Sequence, residues 1–200
     1  MPFFLSATSY PGYDARVKSK PVVTHFREVA RSRLFRIEQV DITFPNGAEV
    51  QWERLIPGGH GAVIVVPMRD PDTALLIREY AAGTERYELV LPKGKMEAGE
   101  TPEAAANREM AEEIGFAARK LTFLTPLSIA PGYMRHATQL VLAEDLYPQE
   151  AEGDEPEPLE VVPVSLNHLL ALGLGDECTE ARSIAALYLV KDYLKEREKS

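Results

Sequence analysis

The sequence lacks the features that would tie it to a membrane, a disulfide framework or a nucleic acid. Cys178 is the only cysteine among its 200 residues, which excludes an intramolecular disulfide and a thiolate-rich metal site. No apolar run approaches the ~18 residues that a transmembrane helix needs. Lys and Arg number 22 against 31 Asp and Glu. The resulting net charge of −9 argues against nucleic acid as the main partner, because phosphate backbones require clustered basic side chains.

The amino-acid composition is typical of a globular protein. With 45% hydrophobic and 26% charged residues, the chain can bury a core. Pro57-Gly58-Gly59 indicates a linker between an N-terminal unit, 1–57, and a larger domain, 58–200. The apolar start, residues 1–6, is too short and uncharged for a signal peptide. We therefore expect a cytoplasmic protein.

The N-terminal unit is predicted to be an arm followed by a β-hairpin. Residues 1–20 have no periodicity and form the arm. Strands are predicted over 34–44 and 48–56, joined by Asn46-Gly47, a strong hairpin signal. A change in the phase of alternation predicts a bulge or bend at Glu38-Gln39. Because an isolated hairpin is marginally stable in water, it must pack on another surface, and a partner subunit is one candidate.

The larger domain mixes strands and helices, so that helices can cover both faces of one sheet. Apolar runs predict strands over 62–67, 74–80, 89–91, 121–129, 139–143 and 160–164. Helical periodicity predicts helices over 102–114, 165–172 and 179–197. The acidic, proline-containing segment 145–158 is predicted to be a loop.

The segment 94–116 carries the strongest functional signal, Gly-x5-Glu-x7-Arg-Glu-Met-x-Glu-Glu-x-Gly-Phe. Thr101 suits the N-cap of a helix and Pro102 its first turn, and Gly115 suits its C-terminal stop. Because successive residues of a helix are ~100° apart, three glutamates share about one third of its circumference: Glu109, Glu112 and Glu113.

Clustered carboxylates cost a helix a few tenths of a kcal/mol per pair, a cost that a bound Mg2+ among oxygen ligands offsets. Arg108 can hold a neighbouring carboxylate with two hydrogen bonds. The alternative is a solvated, charged helix face, which leaves the surrounding spacing unexplained.

The segment resembles the Nudix box, with every fixed position filled. The resemblance implies a Nudix α/β/α sandwich with a mixed sheet, preceded by a small N-terminal β-hairpin domain. It also implies hydrolysis of nucleoside diphosphates linked to another moiety, with Mg2+ as the cofactor and Mn2+ as a substitute. The implied metal ligands are Glu109, Glu112, Glu113, Glu100 and the backbone carbonyl of Lys93, and Arg108 joins the catalytic set.

The likeness continues outside the box, in stretches such as LLIREYAAGTERYEL, EDLYP and GDEPEPL. These resemble the ADP-sugar branch of the family and, within it, the bacterial ADP compounds hydrolases. The implied substrates are ADP-ribose, diadenosine triphosphate and NADH. Related enzymes take a catalytic glutamate from a loop after the main sheet, which matches Glu157 here, with Glu155 as the rival.

The same resemblance suggests residues that bind the substrate. Pro131 and Tyr133 match positions used by ADP-ribose and diadenosine polyphosphate hydrolases, and Arg78 is a candidate phosphate ligand. Adenine is expected on a platform that a homodimer supplies, from Trp52, Arg54 and Phe35. One departure is Val90, where many ADP-ribose hydrolases have a glutamate that holds substrate.

Two other functions stay open at this point. One is a nucleoside triphosphatase or RNA-cap hydrolase of the same family, which the hairpin extension and the acidic composition disfavour. The other is a regulator that binds ADP-ribose without cleaving it. The intact box and the absence of an evident helix-turn-helix segment with a basic face count against a regulator.

Overall fold

The computed structural model describes residues 19–199. The predicted arm lies almost wholly outside these residues. Within the described part of the chain, no helix is both long and apolar enough to cross a membrane.

The N-terminal unit is a three-stranded antiparallel sheet in the order β1-β2-β3, formed by Val22–Arg31, Arg36–Thr43 and Glu49–Ile56. The predicted hairpin is confirmed as β2 and β3, and Gly47 has the positive φ of +83° that its turn requires. β1 was not predicted.

The predicted irregularity at Glu38-Gln39 is wrong, because both residues pair in unbroken register with β3. The register shifts lie in β1 instead, between Val23 and His25 and between Glu28 and Ala30. Apolar residues occur in both phases of β2 without a bulge, because residues on both of its faces are half-buried.

The larger domain contains seven strands and three α-helices among the described residues: β4 (Ala62–Asp70), β5 (Thr73–Ala81), β6 (Arg86–Val90), β7 (Lys93–Lys95), α1 (Pro102–Glu113), β8 (Phe116–Leu127), β9 (Thr138–Pro148), β10 (Glu160–Ser165), α2 (Leu169–Leu174) and α3 (Ala181–Arg197). The sheet is mixed. β4 runs parallel to β9, and β9 runs antiparallel to β8. β5 pairs antiparallel with β10 and β6, and β7 pairs antiparallel with β4.

Helices cover both faces of this sheet, because β4 is apolar on both sides. Val63 and Val65 belong to the core cluster that contains Met110 of α1. Their neighbours, such as Ile64, belong to the cluster that contains Leu187 of α3. The predicted α/β/α sandwich is therefore confirmed, with α1 on one face and α3 on the other.

Several element boundaries differ from prediction. β8 begins at Phe116 and not at 121, and β6 begins at Arg86 and not at 89, because antiparallel pairing extends to these residues. β9 extends to Pro148, so the predicted loop over 145–158 begins later, because the end of β9 pairs with β8 from Phe116 onward. The predicted helix over 165–172 is a 3-10 turn, Leu166–His168, that continues into α2.

Candidate active site

Helix α1 presents the acidic residues, and its ends are as predicted. The Thr101 hydroxyl accepts a hydrogen bond from the Ala104 backbone N–H at 3.2 Å, which caps the N-terminus. At the other end, the Ile114 N–H donates to the Met110 carbonyl at 3.0 Å. Gly115 follows with φ +73°, the left-handed conformation that stops a helix at low cost.

The loop before α1 lies against Glu109. A β-carbon on Gly94 would sit 2.1 Å from the carboxylate of Glu109, much closer than non-bonded atoms can approach. The Glu109 residue is 8% exposed. Any larger residue at position 94 would displace the Glu109 carboxylate, because the missing side chain of Gly94 leaves the space that this carboxylate occupies.

Arg108 binds three carboxylates and one carbonyl. Its Nε and Nη2 donate to the two oxygens of Glu100 at 3.0 and 3.1 Å. Its Nη1 donates to Glu109 at 2.8 Å and to Glu112 at 3.1 Å. A further bond runs from Nη2 to the Lys95 carbonyl at 2.8 Å. The hydrogen bonds to Glu100 raise the pKa of Arg108, so this guanidinium stays charged and fixes the carboxylates around it.

The pKa values of the carboxylates are shifted in different directions, because burial dominates for some of them and hydrogen bonding for others. Burial raises the pKa of Glu113 to about 8, although the Lys93 backbone N–H donates to this carboxylate at 3.1 Å. Burial also raises the pKa of Glu109, against the opposing effect of Arg108. The hydrogen bond from Arg108 lowers the pKa of Glu100. Burial of this kind is common at functional sites.

The donor set fits a hard divalent cation. All the side chains predicted to bind the metal are carboxylates, whose oxygens Mg2+ prefers, and Gly94 leaves the Glu109 carboxylate room beside the loop backbone. Within residues 19–199, no three acidic, imidazole or thiol side chains have converged into a preformed metal site. Arg108 lies between three of the acidic residues and partly neutralises them.

A cavity of about 610 Å³, here called the carboxylate cavity, opens beside α1. Its lining residues are Lys93, Gly94, Lys95, Met96, Glu97, Arg108, Glu109, Glu112, Glu113, Glu152, Gly153, Asp154 and Glu155. The acidic loop closes one side of it. The Ala151 N–H donates to the Ala111 carbonyl at 3.1 Å, and a β-carbon on Gly153 would lie 3.4 Å from the Glu112 carbonyl. The C-terminal end of α1 thus holds this loop close to the cavity.

The two candidate bases occupy different surroundings. Glu155 lines the carboxylate cavity, and partial burial together with the nearby Glu79 carboxylate raises its pKa. Glu157 instead accepts a hydrogen bond from the Tyr87 hydroxyl at 2.7 Å. The structure therefore brings Glu155, rather than Glu157, to the α1 carboxylates.

Arg78 is held away from the face that carries α1. Its neighbours Leu75 and Ile77 belong to the α1 core cluster, but strand alternation turns Arg78 to the other side. There it pairs with Glu160 at 3.0 Å and with Glu177 at 3.2 Å.

The same alternation places Glu79 on the α1 face, where it forms an ion pair with the Lys93 ammonium. Glu79 was not among the predicted site residues. The spacing Leu75, Ile77, Glu79 was the signal that could have identified it.

Two of the three predicted adenine-binding residues, Trp52 and Arg54, line a second cavity of about 600 Å³, here called the N-terminal cavity. Four predicted residues line it: Trp52, Arg54, Pro131 and Tyr133. Phe35 lies apart, exposed in the turn between β1 and β2. Backbone hydrogen bonds between β3 and the loop after β8 join the walls of this cavity. The Leu55 N–H donates to the Tyr133 carbonyl at 2.8 Å, and the Arg135 N–H donates to the Leu55 carbonyl at 2.9 Å.

Comparison with known families agrees with this geometry. Residues 58–175 match the family model of the NUDIX domain, and residues 21–54 match that of the NudE-type Nudix hydrolase N-terminal domain. The chain belongs to the Nudix hydrolase family. Nudix hydrolases generally use divalent metal ions, which accords with the carboxylates of α1.

Two relatives of this Nudix hydrolase have names that refer to ADP-containing substrates. The chain is 49% identical to ADP compounds hydrolase NudE of Escherichia coli (strain K12) over 88% of its own length and 94% of the relative's. It is 32% identical to the ADP-ribose pyrophosphatase of Bacillus subtilis (strain 168), over 80% of this chain and 90% of that one. A crystal structure of ADP compounds hydrolase superposes with a TM-score of 0.83 at 46% identity, covering 93% of this chain and all of the other.

Proposed function

We propose that this Nudix hydrolase cleaves the diphosphate linkage of ADP-containing compounds, such as ADP-ribose, diadenosine triphosphate and NADH. The products are AMP and the other phosphate ester. The observation that carries the proposal is the contact between Gly94 and the Glu109 carboxylate, with Arg108 gathering the neighbouring acids, in a chain similar to ADP compounds hydrolases over most of its length.

Mg2+ is the proposed metal, with Mn2+ as a substitute, and its proposed ligands are Glu109, Glu112, Glu113, Glu100 and the backbone carbonyl of Lys93. Bound there, the cation neutralises the charge of the diphosphate and so lets a nucleophile approach. The chain's own residues prepare the site. Gly94 gives clearance to a ligand, and Arg108 orients the carboxylates so that they do not have to be reordered when substrate arrives.

For the general base, the geometry favours Glu155 over Glu157. Glu155 lines the carboxylate cavity and its pKa is raised. A base whose pKa approaches the working pH is effective in accepting a proton from attacking water. In this arrangement Tyr87 holds Glu157 and thereby fixes the C-terminal part of the acidic loop.

The N-terminal cavity is the proposed site for the adenine ring, because Trp52 and Tyr133 offer aromatic surfaces and Pro131 an apolar one. Arg54 is oriented there by Glu38 at 3.0 Å. Phe35 is exposed, so any part it plays requires a second copy of the chain. Arg78 is engaged by two glutamates and contributes to phosphate binding only if it leaves them.

We also propose a homodimer formed through the N-terminal unit, 1–57, with the catalytic domain over 58–200. Apolar side chains on the N-terminal sheet are exposed: Val22 is 61% exposed and Phe26 is 61% exposed. Light scattering should give twice the chain mass of 22.2 kDa, and a monomer at working concentration would contradict this. The cytoplasmic location stays a prediction.

A substrate panel tests the function directly. The protein is incubated with ADP-ribose, diadenosine triphosphate and NADH, with and without Mg2+, and AMP release is measured. Nucleoside triphosphates and capped RNA complete the panel, and faster turnover of these would replace the proposal with the triphosphatase or cap-hydrolase function. Tight ADP-ribose binding without turnover would indicate a regulator, and no metal-dependent AMP release from any ADP compound would refute the proposal.

A further inference from the structure

The pair formed by Lys93 and Glu79 stands at the entrance to the α1 carboxylates. Lys93 begins β7, directly before Gly94, and its ammonium forms an ion pair with Glu79 at the end of β5. The two side chains are 21% and 33% exposed. Such a pair is desolvated more than an ordinary surface pair, so the charges interact more strongly than in water.

Lys93 also lies between two cavities. It lines the carboxylate cavity and a neighbouring cavity of about 340 Å³. The second cavity is lined by Glu79, Ala81, Thr84, Glu88, Val90, Lys93, Thr179, Glu180 and Arg182. A diphosphate at the carboxylates, with the rest of its substrate in the neighbouring cavity, would lie beside the Lys93 ammonium, because Lys93 lines both cavities.

The surroundings of this ammonium are strongly acidic. Lys93 lowers the pKa of both Glu113 and Glu155, whereas Glu79 raises both. The cation therefore lies within electrostatic reach of three carboxylates. A positive side chain that turns toward an anionic substrate here would reduce its repulsion by these carboxylates further than bound Mg2+ alone.

The other cations at the carboxylate cavity are less suited to that task. All five N–H groups of Arg108 already donate to carboxylates or to the Lys95 carbonyl. Lys95 is exposed, so water hydrates its ammonium and no group among residues 19–199 holds it in one orientation. The Lys93 ammonium is partly desolvated and has one partner from which it can be displaced.

The geometry points to the Lys93 ammonium as a binding group for the substrate's diphosphate, with Glu79 as a positioning residue that holds it until the substrate displaces it. This inference rests on the proposed function and deepens it. It assigns the Lys93 side chain a task separate from the metal-binding role proposed for its backbone carbonyl. Glu79 competes with the phosphate for the Lys93 ammonium. It therefore holds the ammonium in place when no substrate is bound, and it lowers the affinity for the substrate.

The competition gives the two residues opposite effects on binding. Lys93→Met removes a charged hydrogen bond to phosphate and should weaken binding of α,β-methylene ADP-ribose about tenfold or more. Lys93→Arg keeps the charge and should restore most of the affinity. Glu79→Gln removes the competing anion and should bind this analogue as tightly as the unaltered protein or several-fold more tightly. In the Lys93→Met background, most of that gain should disappear.

The experiment is isothermal titration calorimetry with the analogue in the presence of Mg2+, since the methylene bridge resists hydrolysis. Lys195→Met on α3 is the matched loss of an exposed charge and should bind normally. Thermal melting of each variant accompanies the titrations.

A purely structural pair would give a different pattern, with Lys93→Met and Glu79→Gln weakening binding and melting temperature alike. That result, or loss of binding in Lys95→Met but not in Lys93→Met, overturns the inference. Absence of detectable binding to the unaltered protein at millimolar analogue overturns it as well. If the binding pattern holds but ADP-ribose is not hydrolysed, the proposed function fails and the role of Lys93 stands.

Discussion

The carboxylate of Glu109 lies where the β-carbon of any other residue at position 94 would be, only 2.1 Å from that point. The loop glycine and the helix carboxylate therefore depend on each other sterically. This contact is made across two elements, since position 94 belongs to β7 and position 109 to α1.

We expect Gly94→Ala to lower kcat/KM by about 10²-fold or more, because the new methyl group displaces Glu109 and misplacement by ~1 Å is enough for such a loss. The measurement is steady-state turnover of ADP-ribose, with circular dichroism to show that the fold persists. Gly58→Ala is the control, since its β-carbon would meet nothing within 4 Å. Full activity in Gly94→Ala would show that the site tolerates movement of this carboxylate.

Arg108→Lys should also lose about 10²-fold in kcat/KM, although the charge is kept. A lysine ammonium cannot reproduce the planar fork that binds both oxygens of Glu100 and two further carboxylates. The control is Arg119→Lys, because Arg119 is 61% exposed and pairs with Asp145 alone among acidic groups. Equal activity of the two variants would mean that charge, rather than geometry, is what position 108 supplies.

Two variants, each with one glutamate replaced by glutamine, should distinguish a metal ligand from the general base. Glu113→Gln should abolish most activity and raise the Mg2+ requirement, because a neutral amide attracts a dication less than a carboxylate does. Glu155→Gln should lower kcat about 10²–10⁴-fold with the Mg2+ requirement and KM nearly unchanged. Activity is measured across a Mg2+ titration for each variant.

Glu157→Gln is the comparison that decides the position of the base, and we expect it to be mild. An inactive Glu157→Gln beside an active Glu155→Gln would move the base to Glu157. Mild effects in both would mean that the acidic loop supplies no base.

Acid stability should depend on Glu144. Hydrogen bonds from Arg197 and Lys120 hold the pKa of Glu144 at about 2, below the ~4.3 of an unfolded glutamate. A depressed carboxyl pKa stabilises the fold above the unfolded value and loses that contribution as the pH falls toward the folded value. Glu144→Gln should therefore lower the free energy of unfolding by about 1 kcal/mol at pH 7, after allowance for solvent screening. This loss relative to the unaltered protein should shrink as the pH falls from 4 to 2.

Thermal unfolding of both proteins over this pH range is the measurement. Asp145→Asn serves as the control, because its ion pair is exposed on both sides, at 61% and 62%. A difference that stayed constant from pH 7 to pH 2 would contradict the assignment.

The parts of the fold that were predictable have a local signal. Thr101 and Gly115 indicate both ends of α1 through capping chemistry, and the apolar runs indicate β4 and β5. β1 has no such signal, because all ten of its residues are exposed and no alternation with a core can be read from them. The end of β9 was missed for a related reason. Its polar residues are held by ion pairs across the strands, such as Lys120 with Glu144.

The candidate site likewise contains features that a local sequence pattern predicts and contacts that it does not predict. Helical spacing alone brings Glu109, Glu112 and Glu113 to one face of α1. The approach of Gly94 to Glu109 and of Lys93 to Glu79 depends on how β7 and β5 are arranged in the sheet. These contacts join residues 14 or more positions apart in sequence, so no local pattern records them.

The bonds between Leu55 and the loop at Tyr133 and Arg135 have a consequence for how this protein can change. They use only backbone amides and carbonyls, which every residue except proline supplies. These hydrogen bonds between the two units therefore depend on the spacing of residues along the chain and not on the identity of the side chains. Substitutions can change the cavity walls on either side of these hydrogen bonds, whereas one residue inserted in β3 would turn the β3 side chains that face the N-terminal cavity to the other side of the strand.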